Sequence, residues 1–289
     1  MTLGAIQAGL WYCFFTVAAD PSCVESTRQA AWRRRIFRRC LDARGHGDSD
    51  WAPDGNYGQD AMVQDLKCVV AALGNRRPVL VGASLGGGTS LVAIGEDHVD
   101  ATALVLVDVA PHIEKEGVDN IVGFMRQKPE GFISLEEVAD AIARYQPHRK
   151  RTRNLDGLSK NVRLGTDGRY RWHWDPFILA DGVELEQRQM RLEAYSARLT
   201  LPTLLVRGAL SDLLSESGAQ AFLKLYPDSE YVNVADAAHM VAVDRNDIFG
   251  SAVIEFLSRV VPVGSKPVQK PHERRPHHVG PAGDISDIP

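Results

Sequence analysis

The stretch Pro78-Val79-Leu80-Val81-Gly82-Ala83-Ser84-Leu85-Gly86 joins a short apolar run to a Gly-x-Ser-x-Gly motif. An apolar run of this length, bounded by proline and glycine, is typical of a buried strand. The motif that follows predicts a sharp turn from the strand into a helix, with the serine in a strained conformation at the bend. Glycine on both sides fits, because only small neighbours tolerate such a bend. The sequence therefore predicts an exposed Ser84 hydroxyl at the start of a helix, where backbone N–H groups stabilise an oxyanion.

Two further strand-like runs lead to residues that suit a catalytic triad. The run Pro202-Thr203-Leu204-Leu205-Val206 leads to Asp212, and the run Tyr231-Val232-Asn233-Val234 leads to His239. Side chains just past the carboxyl ends of parallel strands meet at one edge of an α/β sheet. A serine nucleophile needs a base such as His239, and that base needs an orienting carboxylate such as Asp212.

The chain resembles the α/β-hydrolase superfamily in three stretches. They are residues 81–87 around the serine, Leu41-Asp42-Ala43-Arg44-Gly45-His46-Gly47-Asp48-Ser49, and His239 with its flanks. The second resembles the loop after the fourth strand of that fold, which is structural in most members. The resemblance implies an α/β fold with a mostly parallel sheet flanked by helices, an inserted helical lid, and a triad in the chain order Ser, Asp, His.

The identity of the acid leaves an alternative open. Asp108 also ends a strand-like run, Ala103-Leu104-Val105-Leu106-Val107, and some members of the superfamily use an acid at that place. Asp236 is too close to His239 in sequence to orient it easily. We favour Asp212, because the Gly-x-x-x-Asp stretch after its strand resembles the usual acid loop.

The chain divides into a core, an insertion and two atypical ends. Residues 41–111 and 199–262 are predicted to form the hydrolase core, because strand-like runs alternate there with helical patterns. Residues 112–198 break this alternation, and the resemblance places the helical lid there. Within them, Ser134-Leu135-Glu136-Glu137 predicts a capping box that opens a helix. Residues 263–289 are rich in Pro, His, Lys and Arg, and we predict a disordered tail.

Three side chains are candidates for the substrate pocket. Trp172 and Trp174 alternate with polar residues, so they share one apolar face. They line an acyl or ring pocket in one interpretation and pack the lid onto the core in the other. Met240, next to His239, is the third candidate.

Residues 1–40 form an atypical N-terminal segment. They contain no strand-like run that ends in His-Gly or a Gly-rich equivalent, whose backbone would supply the second oxyanion donor. Ile36-Phe37-Arg38-Arg39-Cys40-Leu41 places two arginines where a buried parallel strand should be apolar, so we expect no good strand leading into Leu41. We hypothesise a frame-shifted reading of a normal start. The alternatives are a divergent start, a targeting signal in the apolar residues 4–19, and a nucleic-acid arm in the arginine-rich residues 33–39. Translation of the encoding DNA in the other two frames tests this hypothesis.

The composition argues against several other classes of function. The chain has 289 residues, a formal net charge of −4 and 44% hydrophobic residues, which is ordinary for a soluble globular protein. Its charge gives no signal for nucleic acid, and no metal, nucleotide or flavin motif is present. The four cysteines lack metal-like spacing and favour a reducing compartment. We expect a cytoplasmic protein without cofactor or metal that binds a small acyl substrate and neither nucleic acid nor membrane.

A serine at the elbow favours acyl transfer. Epoxide hydrolases and haloalkane dehalogenases of the superfamily carry aspartate there instead. We expect His239 to deprotonate Ser84, Ser84 to attack an ester, lactone or thioester, and the Leu85 N–H to bind the oxyanion. Two alternatives stay open, a cofactor-free haloperoxidase (perhydrolase) with the same triad and a pseudo-enzyme or binding module without the usual oxyanion loop.

Overall fold

A computed structural model describes most of the core and the insertion. The described residues are 13–19, 36–74, 76–149, 151, 155, 157–158, 161–179 and 185–261, and for 13–19 and 36–39 the description covers the backbone alone. The tail predicted at 263–289 and most of the N-terminal segment 1–40 lie outside these residues.

Within the described residues, a six-stranded sheet carries the core. In chain order the strands are β1 (Cys13–Ala19), β2 (Ile36–Asp42), β3 (Val79–Ala83), β4 (Ala103–Val107), β5 (Val162–Leu164), β6 (Tyr170–Trp172), β7 (Thr203–Gly208) and β8 (Glu230–Val234). The large sheet has the order β2-β1-β3-β4-β7-β8, while β5 and β6 form a separate hairpin. Strands β3, β4, β7 and β8 pair in parallel, so the mostly parallel sheet is confirmed.

The two strands at the N-terminal side depart from expectation. Strand β2 continues through both arginines, so the expectation that no strand leads into Leu41 is wrong. It lies at the edge of the described sheet, where one side of the strand is unpaired and charged residues are tolerated. Strand β1 runs antiparallel to both of its neighbours, β2 and β3. Because Phe14 pairs with Gly82, the start of β1 and not its end lies at the edge that carries Ser84.

Helices cover both faces of the sheet. The α-helices are α1 (Gln59–Ala72), α2 (Leu85–Gly95), α3 (Lys115–Met125), α4 (Leu135–Tyr145), α5 (Leu185–Ser196), α6 (Glu216–Leu225), α7 (Val241–Asp244) and α8 (Asn246–Val260). Side chains alternate along the strands: Leu80 and Leu104 pack with α1, α2, α5 and α6, whereas Val79 and Val105 pack with α7 and α8. This alternation gives the core two apolar layers, one on each face of the sheet.

The segment between β4 and β7 forms a cap with a small core of its own. It contains α3, α4, the β5–β6 hairpin, a 3₁₀ turn at Pro176–Leu179 and α5. Half of the predicted capping box of α4 is present, because the Ser134 hydroxyl caps the helix by accepting the Glu137 N–H at 3.3 Å. The Glu137 carboxylate accepts the N–H of Ile133 at 2.8 Å, one residue before the position that a full capping box uses.

The cap is docked on the core through the loop that follows β2. The Gly47 N–H donates to the His173 carbonyl at 2.9 Å, and the Asp175 N–H donates to the Gly45 carbonyl at 2.8 Å. A Cβ on Gly45 would lie 2.4 Å from the Tyr57 ring, and the φ of Gly45 is +71°. Only glycine satisfies both constraints, which fixes the backbone of the loop that makes these contacts with the cap.

Candidate active site

Ser84 stands at a strained junction between strand and helix. Strand β3 ends at Ala83, helix α2 begins at Leu85, and Ser84 between them has φ 48° and ψ −115°. Its N–H donates to the Val107 carbonyl at 3.0 Å and its carbonyl accepts the Gly88 N–H at 3.1 Å. Such a backbone costs about 1–3 kcal/mol for a residue other than glycine and is kept only where its surroundings enforce it. The sharp turn that the sequence predicts is therefore present.

Glycines let α2 approach β3 closely enough to form this junction. A Cβ on Gly82 would lie 2.5 Å from the carbonyl carbon of Gly86. A Cβ on Gly87 would lie 2.7 Å from the Gly82 oxygen and 2.5 Å from the side chain of Val109. Neither contact is possible for a side chain, so close packing of helix against strand explains the glycines around the serine.

The structure pairs His239 with Asp108 and not with Asp212. The Nδ1 atom of His239 lies 2.8 Å from Oδ2 of Asp108, and the two residues are 8% and 0% exposed. Asp212 is exposed, and its Oδ2 accepts a hydrogen bond from Nδ2 of Asn120 at 2.8 Å. The structure therefore brings Asp108 to His239, in place of the Asp212 that the sequence analysis favoured.

The strand register explains why Asp108 takes this position. Val107 is the register partner of both Ala83 on β3 and Val206 on β7. Ser84 and Asp108 each follow one of these paired residues, so they leave neighbouring parallel strands at the same level of the sheet. His239 reaches Asp108 from the loop after β8. Asp212 lies four residues beyond the end of β7, and this additional length carries it to the surface.

The carboxylate of Asp108 is fully hydrogen-bonded. Oδ1 accepts the Gly208 N–H at 3.0 Å, while Oδ2 accepts both the Ser211 hydroxyl at 2.5 Å and the His239 ring. The Ser211 oxygen in turn accepts the N–H groups of the two residues after Asp212 at 3.2 Å. Sequence reasoning missed Ser211, although its place in the loop directly after β7 is the signal that it belongs to the site edge.

The loop that carries His239 is fixed from two sides. A Cβ on Gly208 would lie 2.2 Å from the Ala238 oxygen, so β7 touches this loop through a glycine. The Ala238 N–H donates to Oδ2 of Asp244 at 2.9 Å. The buried Asp244 carboxylate also binds the cap residue Arg149, with Nε 3.2 Å from Oδ1. Asp244 therefore binds both the cap and the loop that carries His239.

Ser84 and His239 open onto two cavities. Ser84 and Leu85 line one of about 540 Å³ whose walls are mostly apolar, and His239, Met240 and Asp212 line a second of about 880 Å³. Leu85 is the first residue of α2, and N–H groups of a first helical turn have no acceptor within the helix. Its N–H is thus available at the edge where Ser84 stands.

A comparison with known families agrees with this arrangement of strand, elbow and histidine loop. The model of the alpha/beta hydrolase fold matches residues 33–245, most of the chain. The chain belongs to the α/β-hydrolase family.

Several relatives of this α/β hydrolase are named as lipases, hydrolases or esterases. The chain is 28% identical over 237 residues to the mouse sn-1-specific diacylglycerol lipase ABHD11. The aligned region covers 78% of this chain and 73% of the lipase. The chain is 27% identical over 230 residues to 2-(acetamidomethylene)succinate hydrolase of Mesorhizobium japonicum, covering 77% and 79%. The crystal structure of E-2-(acetamidomethylene)succinate hydrolase superposes with a TM-score of 0.67 at 25% identity, covering 78% of this chain and 82% of that one.

Trp172 and Trp174 pack inside the cap of this α/β hydrolase. Their rings stack with centroids 5.0 Å apart, and Phe124 and Phe132 lie against Trp172 at 4.9 and 5.0 Å. Neither tryptophan lines the Ser84 cavity or the His239 cavity. Of the two interpretations of these tryptophans, their contacts favour packing within the cap. Met240 lines the second cavity together with His239.

Two kinds of feature are absent from the described part of the chain. It contains no group of three or more His, Cys, Asp or Glu side chains that could hold a metal ion. Likewise, no helix among the described residues is long and apolar enough to cross a bilayer.

Proposed function

We propose that this α/β hydrolase is a serine hydrolase that cleaves small acyl substrates through an acyl-enzyme, with Ser84, His239 and Asp108 as its triad. The observation that carries the proposal is the buried hydrogen bond between His239 and Asp108, next to the strained backbone of Ser84. The named activities of two relatives, a diacylglycerol lipase and a 2-(acetamidomethylene)succinate hydrolase, support hydrolysis at an acyl carbon.

The hydrogen bond to Asp108 sets the tautomer of the base. A carboxylate only accepts hydrogen bonds, so Nδ1 of His239 carries the proton and Nε2 is the unprotonated nitrogen. Nε2 takes the proton of Ser84 as its Oγ attacks the carbonyl carbon of the substrate. Asp108 then stabilises the imidazolium without taking its proton.

The start of α2 receives the negative charge that develops in this step. The carbonyl oxygen becomes an oxyanion, and the Leu85 N–H at the positive end of the helix donates to it. When the intermediate collapses, His239 gives its proton to the leaving group and Ser84 keeps the acyl group. His239 then takes a proton from water, which attacks the acyl carbon. When the ester bond to Ser84 breaks, His239 returns that proton to the Ser84 oxygen and the acid is released.

The Ser84 cavity suits a short acyl group. Apolar side chains from α3, the 3₁₀ turn and α5 form most of its wall: Val118, Ile121, Val122, Met125, Phe177, Ile178 and Leu185. Since these residues belong to the cap, the substrate would be held between the cap and the core.

Covalent labelling tests the proposal without knowledge of the substrate. A fluorophosphonate probe, read by intact mass, should add once to the parent protein and not to Ser84→Ala. Ser251→Ala is the matched control, because Ser251 is exposed on α8 and should leave labelling unchanged. A folded parent protein that takes no probe would contradict the proposal and favour a binding module.

A further inference from the structure

The backbone on both sides of His239 is held by one residue, Asp244 at the end of α7. The Ala238 N–H donates to Oδ2 of Asp244 at 2.9 Å. The backbone N–H of Asp244 donates in turn to the Met240 carbonyl at 2.9 Å. His239 therefore lies in a short closed loop, and both peptide groups that flank it are hydrogen-bonded to Asp244.

The carboxylate of Asp244 is buried and meets two side chains of the cap. Its side chain is 2% exposed, and Nε of Arg149 lies 3.2 Å from Oδ1. Nε2 of His148 lies 3.3 Å from Oδ2. A buried carboxylate is strongly destabilised when its partner is removed, because burial has already cost it the hydration shell. The charge of Asp244 is therefore balanced by the cap and not by the core.

Hydrogen bonds within the cap fix Arg149 in the position that this contact needs. Its Nη1 donates to Oε1 of Gln146 at 2.8 Å, and its backbone N–H donates to the Gln146 carbonyl at 3.0 Å. Gln146 is buried and directly follows α4, and its own N–H donates to the Ile142 carbonyl of that helix at 2.9 Å. The guanidinium is thus held relative to α4, so the position of the cap sets its distance from Asp244.

The same segment of the cap forms part of the wall around the proposed base. Gln146, Pro147 and His148 line the His239 cavity. Arg149 itself lines neither this cavity nor the Ser84 cavity. A substitution of Arg149 therefore leaves both walls unchanged, and its effect on the reaction should pass through Asp244.

We propose that Asp244 is a positioning residue for His239 and that Arg149 of the cap holds it in place, an inference that rests on the proposed serine hydrolase function. While the contact with Arg149 is intact, Oδ2 keeps the Ala238 N–H and His239 stays within reach of Ser84. Without it, the unbalanced carboxylate turns toward water and releases the Ala238 N–H. A displacement of about 1 Å at a reacting group costs up to about a hundredfold in rate, so docking of the cap controls the activity of the base.

A cycle of two substitutions tests this coupling. Arg149→Met leaves a buried carboxylate without its cation, so kcat for p-nitrophenyl acetate should fall about tenfold while KM changes by less than about twofold. Asp244→Asn should also lower kcat, because an amide whose oxygen keeps the Ala238 N–H turns its NH₂ group toward Nε of Arg149. The double variant has neither charge and keeps an acceptor for Ala238, so its kcat should return to within about threefold of the parent value.

Recovery in the double variant separates positioning from a purely structural role. If Arg149 and Asp244 only stabilised the fold, each variant would melt at a lower temperature while its folded fraction kept the parent kcat. Asp244→Leu offers no acceptor to Ala238, so it should lower kcat in the presence and in the absence of Arg149→Met. Parent kcat in folded Arg149→Met, or losses that simply add in the Arg149→Met/Asp244→Asn variant, would overturn the proposal.

The control is Arg151→Met, which removes the same charge two residues further along the chain. Nε of Arg151 donates to Oδ1 of Asp140 at 2.6 Å, a contact that lies within the cap. This variant should therefore keep the parent kcat. A loss in Arg151→Met as large as that in Arg149→Met would show that any charge change in this segment lowers activity, and would contradict the proposal.

NMR separates failure of this proposal from failure of the proposed function. The proton that Nδ1 of His239 shares with Asp108 should give a downfield resonance in ¹⁵N-histidine-labelled Ser84→Ala protein, assigned by its loss in His239→Gln. Arg149→Met should weaken or abolish this resonance, and addition of Asp244→Asn should restore it. That pattern in a protein that takes no fluorophosphonate would refute the hydrolase and keep the coupling. A resonance unchanged by Arg149→Met would overturn the coupling even in an active enzyme.

Discussion

Substitution of Asp108 by asparagine should abolish most of the activity, whereas the same change at Asp212 should not. Asp108 is fully buried, and its two oxygens accept three hydrogen bonds, from Gly208, Ser211 and His239. Asparagine keeps one accepting oxygen and replaces the other by an NH₂ group that only donates. Either orientation of the amide therefore sets a donor against a donor.

The size of the effect follows from which contact is lost. If the NH₂ group takes the place of Oδ2, Nδ1 of His239 must accept, so Nε2 carries the proton and cannot deprotonate Ser84. A base held in the wrong tautomer lowers kcat by about 10⁴, or roughly 5 kcal/mol of transition-state stabilisation. If the NH₂ group turns toward Gly208 instead, a buried N–H loses its acceptor, and the free energy of unfolding falls by about 1–3 kcal/mol.

The matched control uses the other candidate acid. Asp212 is exposed and bonds to Asn120 at the rim of the second cavity, so Asp212→Asn should change kcat/KM by less than about threefold. Hydrolysis of p-nitrophenyl acetate and the rate of fluorophosphonate labelling measure both variants, and thermal melting shows whether each is folded. Strong loss in Asp212→Asn together with more than a tenth of parent activity in folded Asp108→Asn would refute the reasoning.

Three further predictions concern the support of the site and the docking of the cap. Ser211→Ala removes one donor to Asp108 and the acceptor of two N–H groups. The free energy of unfolding from thermal melts should fall by about 1–2 kcal/mol, and kcat/KM should fall roughly tenfold. Unchanged kinetics would contradict this prediction. Gly208→Ala places a Cβ 2.2 Å from the Ala238 oxygen and should displace the loop that carries His239. This displacement should lower kcat by a larger factor than it raises KM. A fully active variant would contradict this prediction, because it would show that the loop moves without affecting the site. Burial lowers the pKa of His46 from 6.5 to about 4. Between pH 6.5 and pH 4 this histidine is protonated in the unfolded chain but neutral in the folded one. The free energy of unfolding should therefore fall by a few kcal/mol as the pH drops from 6.5 to 4. In His46→Gln the melting temperature should depend less on pH over that range.

The buried position of His46 is at the contact between cap and core. His46 lies in the loop that receives the cap and forms a β-bridge with Trp174. Its Nδ1 lies 3.0 Å from the carbonyl of Arg44, which orients the ring inside the contact. A proton on the second nitrogen would place a charge in this buried position, so acid should loosen the cap before the sheet.

The sequence by itself determined the fold and two members of the proposed triad. The apolar run ending at Gly82, the glycines around Ser84 and the position of His239 after a strand are local patterns, and each specifies a local geometry that the structure shows. The N-cap at Ser134 is of the same kind, since the contact that defines it spans three residues.

Only the tertiary structure decided which acid serves His239 and what the tryptophans do. Asp108 and Asp212 both follow strands, and the choice between them depends on the register of β4 against β3 and on how far the loop after β7 extends. Trp172 and Trp174 are apolar in either role, and their burial depends on Phe124, about fifty residues earlier in the chain. Local sequence fixes backbone geometry, whereas partners brought together across the sheet and the cap fix the side chain's role.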